Sequence, residues 1–231
     1  TGAPKLFLDI ARIIIKEGHE IVFLLGRTGP FLKEYKALGK VYLWNKDFEN
    51  MSNVSKVVYK VKKKLNPGYI ECMKAIKRWG PELIINNTAV TGEMINELEV
   101  LNIPISSIIH ELETVIKFYN KNNNSSTVIR NSSLIMTVSD AVKNNLIDKH
   151  QVSKDQISTV YGFVPKIDIE SCRVQKGKIR TNLNIPENAF VVGACGTLIS
   201  RKGVDFFINT AELLKNKSDI YFLWLGGSKE S

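Results

Sequence analysis

The stretch GTLISRKG, residues 196–203, sets a glycine directly after an apolar run and two adjacent cations, Arg201 and Lys202, directly before an amphipathic one. A glycine lets backbone come close to a ligand, and cations on the same loop supply charge, so the stretch suits a phosphate group. TGAP, residues 1–4, is a second such place: Gly2 leads into a helical pattern whose first-turn N–H groups and dipole favour an anion. Two common phosphate motifs are excluded. A Walker loop needs glycine, then lysine, then Ser or Thr, whereas Lys202 precedes Gly203. A dinucleotide fingerprint needs G-x-G-x-x-G, and Gly193, Gly196 and Gly203 have the wrong spacing.

His110 ends the apolar run ISSIIH (105–110), where its imidazole can face a cleft and hydrogen-bond a sugar hydroxyl or tune proton transfer; a satisfied structural histidine is the alternative. Asn86, Asn87 and Thr88 end ELIIN (82–86) and its turn, and either line an acceptor side or cap the loop. Glu111 and Glu113 read as helix-start acids.

Positioning these residues requires elements that end at one edge. EIVFLL (20–25), VYLW (41–44), ELIIN, ISSIIH, LIMTVS (134–139) and ISTVY (157–161) are short β-rich runs separated by helical patterns, which predicts a parallel sheet covered on both faces. The first helix carries Pro4 in its first turn, an apolar stripe of Leu6, Phe7, Ile10, Ile13 and Ile14, and Gly18 as its stop. Val54 to Trp79 reads as two helices broken at NPG (66–68), residues 120–133 as a surface loop with a short helix, and Ser139 as the N-cap of the next helix. After a polar stretch to about residue 180 the pattern restarts with FVVGACG (190–196), a helix from Gly203, and DIYFLWLGG (219–227). The expected division is a Rossmann-like domain over 1–162, whose first strand is missing, and the beginning of a second over 163–231. Two phosphate-suited loops, one in each domain, suggest a diphosphate held between them.

The 231 residues carry Lys+Arg 32 against Asp+Glu 23, so anionic partners are expected. Much of the excess is local: residues 51–80 hold eight basic side chains against Glu71 alone. Five of these, in Lys56 to Lys64, face away from a valine stripe and serve either a peripheral membrane contact or a solvated surface. A nucleic-acid-binding protein would use the same segment, but it has few aromatic residues for stacking and no recognition module. Cys72, Cys172 and Cys195 lack metal-ligand spacing, and Cys195 lies in an apolar run that predicts burial. No stretch has the apolar length of a membrane span, and a reducing, cytoplasmic setting fits.

The ordered segments TGAPKLFLDIARIIIKEGHEIVFLL, HELE, LIMTVSDAVKNNL, ISTVYGFV and VVGACGTLISRKGVDFFINTAELL, followed by FLWLGG, resemble the family 4 glycosyltransferases. The resemblance implies a GT-B architecture and retaining transfer of a sugar from a nucleoside-diphosphate sugar to a carbohydrate or lipid-linked acceptor hydroxyl. It also implies no essential metal, no nucleic-acid partner, and a place in cell-surface polysaccharide or glycoconjugate synthesis. By the same resemblance Gly2 lies against the donor diphosphate and the reacting sugar, His110 contacts the transferred sugar, and Lys202 neutralises the leaving diphosphate, to which Gly196, from its place after the strand, brings backbone close. The family's usual Gly-Arg pair reads Gly196-Thr197 here, and Arg201 is either its replacement or a solvent-facing neighbour of Lys202. The family's E-x7-E segment does not occur before Ser231, so the chain alone is expected to be inactive, and a non-catalytic scaffold of the same fold is the alternative function.

Overall fold

The computed structural model describes residues 2–44, 67–120, 124–164 and 169–227. They fall into two units, Thr1–Pro165 and Lys166–Ser231, where the sequence placed the division after residue 162. The first unit runs α1 (Gly2–Lys16), β1 (Val22–Leu25), α2 (Leu32–Leu38), β2 (Lys40–Leu43), α3 (Pro67–Trp79) and β3 (Ile84–Asn86). It continues through α4 (Gly92–Leu98), β4 (Ile105–Ile109), α5 (Glu113–Tyr119), α6 (Asn124–Asn131), β5 (Leu134–Thr137), α7 (Asp140–His150) and β6 (Ile157–Thr159). All strand pairs are parallel: β1 with β2, and β3, β4, β5 and β6 side by side in that order. The expected parallel sheet is thus two hydrogen-bonded pieces, because among the described residues no strand joins β1 to β3. Side chains connect them instead. The Asn87 amide reaches Ala3 on α1, and Met94 Sδ on α4 lies 3.9 Å from where a Cβ on Gly26 would sit.

The strand β4 is buried along its whole length, as its apolar run predicts. Ile109 packs with Ile116 of α5, Ile135 of β5, Val142 and Leu146 of α7, and Ile157 of β6. Complete burial of each such side chain contributes about 1.5–3 kcal/mol, so this cluster anchors the end of β4 that carries His110. The α1 helix buries Leu8 and Ala11 against Phe23 and Tyr35. The core face is thus turned from the predicted stripe, and Ile13 is half exposed, because Leu8 and Ala11, three apart, face the β1–α2 layer. The Tyr35 hydroxyl donates to the Pro4 carbonyl at 3.0 Å and fastens the first turn of α1.

Ser139 caps α7 as expected, its hydroxyl accepting from Val142 N. The asparagine-rich stretch gives α6, which buries Ser125 and Val128 completely. Val54 to Leu65, with the lysines of Lys56–Lys64, lies outside the described residues; the second of the two expected helices is α3. No helix among the described residues is long and apolar enough to cross a membrane.

The second unit contains α8 (Ile169–Asn182), β7 (Phe190–Cys195), α9 (Val204–Leu213) and β8 (Ile220–Leu225), with β7 and β8 parallel. The polar stretch before residue 180 is therefore largely helix: its lysines, arginines and glutamine are good helix formers without an apolar stripe. The expected burial of Cys195 is also corrected. Phe207 of α9 packs edge-on against Phe222 and Trp224, whereas Cys195 pairs in register with Leu225, one residue on and therefore on the other face. Both are exposed there.

The helices α4 and α6 approach closely at Gly92, where a Cβ would run into the main-chain carbonyl of Asn124. Gly92→Ala is expected to destabilise the chain by about 1–3 kcal/mol through forced separation of these helices, read as a lowered midpoint in urea with an unchanged slope.

Candidate functional site

In a parallel sheet every strand delivers its C-terminal loop to the same edge, and this is where the first unit gathers its polar residues. His110 follows β4 directly and Asn87 follows β3 directly. Their side chains meet, His110 Nε2 lying 3.0 Å from Asn87 Oδ1. The other end of the same amide, Asn87 Nδ2, donates to the Ala3 carbonyl at 3.0 Å. Gly2, His110 and Asn87 are thus brought to one place. Burial pushes the His110 imidazole below its ordinary pKa, opposed by the Glu111 carboxylate, which favours the cation.

Glu111 does more than begin a helix. One of its oxygens accepts from the main-chain N–H of His110 at 3.0 Å and of Ala89 at 3.1 Å, while the other accepts from the Thr88 hydroxyl. A single carboxylate therefore clamps the loops after β3 and β4 together. Asn86 has a different fate from Asn87. Its amide nitrogen donates to Thr88 O at 2.7 Å and Ser107 Oγ at 3.1 Å, and its oxygen accepts from Thr91 Oγ1 at 2.6 Å. The chain continues inward from Ser107 to Ser132 Oγ at 2.7 Å, so Asn86 is the outer end of a buried polar spine. At Gly2 the α1 helix starts in open space, and an added Cβ would meet nothing within 4 Å.

In the second unit Gly196 follows β7, and Ser200–Lys202 forms a single 3-10 turn ahead of α9. Gly203, at φ +73°, breaks that turn from α9 in a left-handed conformation suited to glycine. Gly196, at φ +156°, leaves its Cα bare against the stem of Lys202: an added Cβ would lie 3.4 Å from Lys202 Cγ and 3.5 Å from Cδ. The Gly196 carbonyl accepts from Trp224 Nε1 at 2.9 Å, and its N–H donates to Leu225 O at 2.9 Å. Arg201 and Lys202 are exposed, and no carboxylate among the described residues pairs with either. The nearby acid, Asp205, accepts from Ser200 Oγ at 3.3 Å.

Comparison with known proteins decides the family. The family model described as Glycosyltransferase Family 4 matches residues 1–166. The chain belongs to glycosyltransferase family 4. A solved glycosyltransferase from Rickettsia africae ESF-5 superposes over 96% of the chain with a TM-score of 0.58 at 14% identity. The chain spans 64% of that structure's length. No curated protein sequence matches it. The architecture, parallel α/β with helices between successive strands, is GT-B-like.

Among the residues picked from sequence, His110, Gly2 and Asn87 share one edge of the first unit, and Gly196 and Lys202 share one loop of the second. Arg201 sits exposed beside Lys202 with no side-chain partner among the described residues, and Asn86 is committed to the interior. Thr88, read with the two asparagines as acceptor-side or loop-capping, and Glu111, read as a helix-start acid, join the loops after β3 and β4 in this family 4 chain, and Trp224 was missed. The polar run NNT directly after an apolar strand, facing HELE after the next, was the available signal for the first two.

Gly226, at φ +132°, could not carry a side chain, since a Cβ would strike the Gly196 carbonyl. Gly226→Ala is expected to cost about 2–4 kcal/mol in the second unit from backbone strain and overpacking combined. Denaturation followed through Trp224 fluorescence, with Trp44 and Trp79 replaced by phenylalanine, should show the loss.

Proposed function

We propose that the full protein is a retaining glycosyltransferase that moves a sugar from a nucleoside-diphosphate sugar to an acceptor hydroxyl. The acceptor class is a carbohydrate or lipid-linked saccharide, on the cytoplasmic side, in cell-surface polysaccharide or glycoconjugate synthesis. The observation that carries this is Lys202: an exposed ammonium with no carboxylate partner among the described residues, its stem laid along Gly196 at the C-terminal end of a parallel strand in a family 4 chain. Breaking the bond between the anomeric carbon and the diphosphate builds negative charge on the phosphate oxygens. A cation already in place stabilises that charge more than it stabilises the bound donor, which is what accelerates a reaction. No metal is required for that step in this proposal. Arg201, one residue earlier, supplies the further cation that Thr197 does not.

Gly2 lies against the donor diphosphate and the reacting sugar, and His110 contacts the transferred sugar. The start of α1 offers unsatisfied N–H groups to an anion, and the uncharged imidazole of His110 makes a hydrogen bond with a sugar hydroxyl without attracting the phosphate. Asn87 lies at the same edge as these groups, toward the acceptor.

Calorimetry with UDP, GDP and ADP on the full-length protein tests this reading. One nucleotide should bind selectively, and Lys202→Ala should weaken it about 10–100-fold, the value of a charge-assisted hydrogen bond to phosphate. Failure of a folded wild-type protein to bind any of the three would overturn it, leaving the scaffold. Gly2→Ala separates ligand contact from folding: the added methyl meets no protein atom within 4 Å, so thermal stability should hold while affinity for the nucleotide sugar falls.

A further inference from the structure

The geometry points to Asn87 as a positioning residue that holds His110 as the Nε2–H tautomer, leaving Nδ1 as a bare hydrogen-bond acceptor for a sugar hydroxyl. The hydroxyl end of this inference rests on the glycosyltransferase reading above; the tautomer does not. Which atoms can donate fixes the tautomer. The Ala3 carbonyl only accepts, so the group of Asn87 that faces it at 3.0 Å must be the amide nitrogen. That turns Oδ1 toward His110. A carbonyl oxygen cannot donate, so the ring nitrogen 3.0 Å away, Nε2, must carry the proton. In an uncharged imidazole the second nitrogen then has none, and His110 Nδ1 has no partner among the described residues.

Each end of this relay is itself anchored. The first turn of α1 is fastened by the Tyr35 hydroxyl on Pro4 O, so Ala3 is a firm point. The main chain of His110 is held by Glu111, which also holds Ala89 two residues beyond Asn87. Burial depresses protonation of the ring, which keeps Nδ1 unprotonated at neutral pH. The titratable group facing the ring is Glu111, whose charge opposes that depression without reversing it. An acceptor at this position selects a ligand group that donates, a hydroxyl, over one that only accepts, such as a carboxylate or phosphate oxygen. A cationic ring would do the opposite.

The test is ring-nitrogen NMR on the full-length protein with 15N-labelled histidine, the His110 signals being those absent from His110→Gln. The expected spectrum has Nε2 protonated and Nδ1 unprotonated, with an Nε2–H proton protected from exchange with water. In Asn87→Ala that protection should disappear and the Nδ1–H form should become detectable. In Asn87→Asp, a carboxylate facing Nε2 should raise the pH at which the ring takes its second proton by about one unit or more. If Asn87→Ala does not fold, the wild-type spectrum and the Asn87→Asp titration decide alone. An Nδ1–H tautomer in the wild type, or a ring proton and titration indifferent to both substitutions, overturns the proposal. The spectrum is independent of nucleotide binding: the expected tautomer in a protein that binds no nucleoside diphosphate upholds Asn87 while sinking the donor reading, and nucleotide binding with the wrong tautomer does the reverse.

Discussion

Every strand pair among the described residues is parallel, and that constraint sets where chemistry can be placed. Parallel pairing makes each strand return through a crossover, here a helix, so within a sheet the C-terminal loops arrive at one edge and the helices begin there. The loops after β3 and β4 become neighbours although His110 is 23 residues from Asn87 in sequence. The apolar burial of β4 makes the arrangement stiff: with Ile109 packed between α5, β5 and α7, the residue that follows has little freedom. Hydrophobic packing thus fixes the polar constellation at its edge, where Ala89 of the same cluster donates its N–H to Glu111.

Within that frame Glu111 solves a local problem. The loops after β3 and β4 expose main-chain N–H groups that no strand neighbour satisfies, and a half-buried donor left unpaired is costly. One carboxylate meets Ala89 N, His110 N and the Thr88 hydroxyl together, turning two loops into one rigid piece. The same residue biases the imidazole beside it toward the cation, while burial biases it the other way more strongly. Structure and protonation are therefore coupled through a residue whose first duty is to hold backbone.

The strands were legible because each is a short apolar run with a turn on either side, and buried parallel strands leave that trace whatever their partners are. His110 stood out as a candidate for a related reason, a titratable residue just past such a run, and Lys202 as a cation in a loop bounded by Gly196 and Gly203. What escaped depends on partners distant in sequence. Glu111 reads as a helix-start acid until Thr88 and Ala89 are beside it, and Asn86 and Asn87, adjacent in sequence, diverge because one points to Ser107 and the other to Ala3. Ile13 and Cys195 sit in apolar company and are still exposed, because which side of an element gains a covering layer is a tertiary fact. The helix α8 lacks an apolar stripe, so periodicity had nothing to detect.

The second unit makes its loop by another route, with glycines in place of a carboxylate. Gly226 lets the end of β8 press on the Gly196 carbonyl, Trp224 donates to that carbonyl from the side, and Gly196 in turn leaves room for the Lys202 stem. The indole is held by Phe207, which also touches Phe222, so the chain of contact runs from the α9–sheet layer out to the loop. A lysine is a flexible point charge with several rotatable bonds, and using it to stabilise developing charge demands that its freedom be reduced beforehand. Packing its methylenes on a bare glycine reduces that freedom, and no carboxylate among the described residues pairs with the ammonium. That a tryptophan supports this loop from a strand position suited to any apolar residue explains why the hydrogen bond, rather than the apolar ring, is the feature that links β8 to the cation.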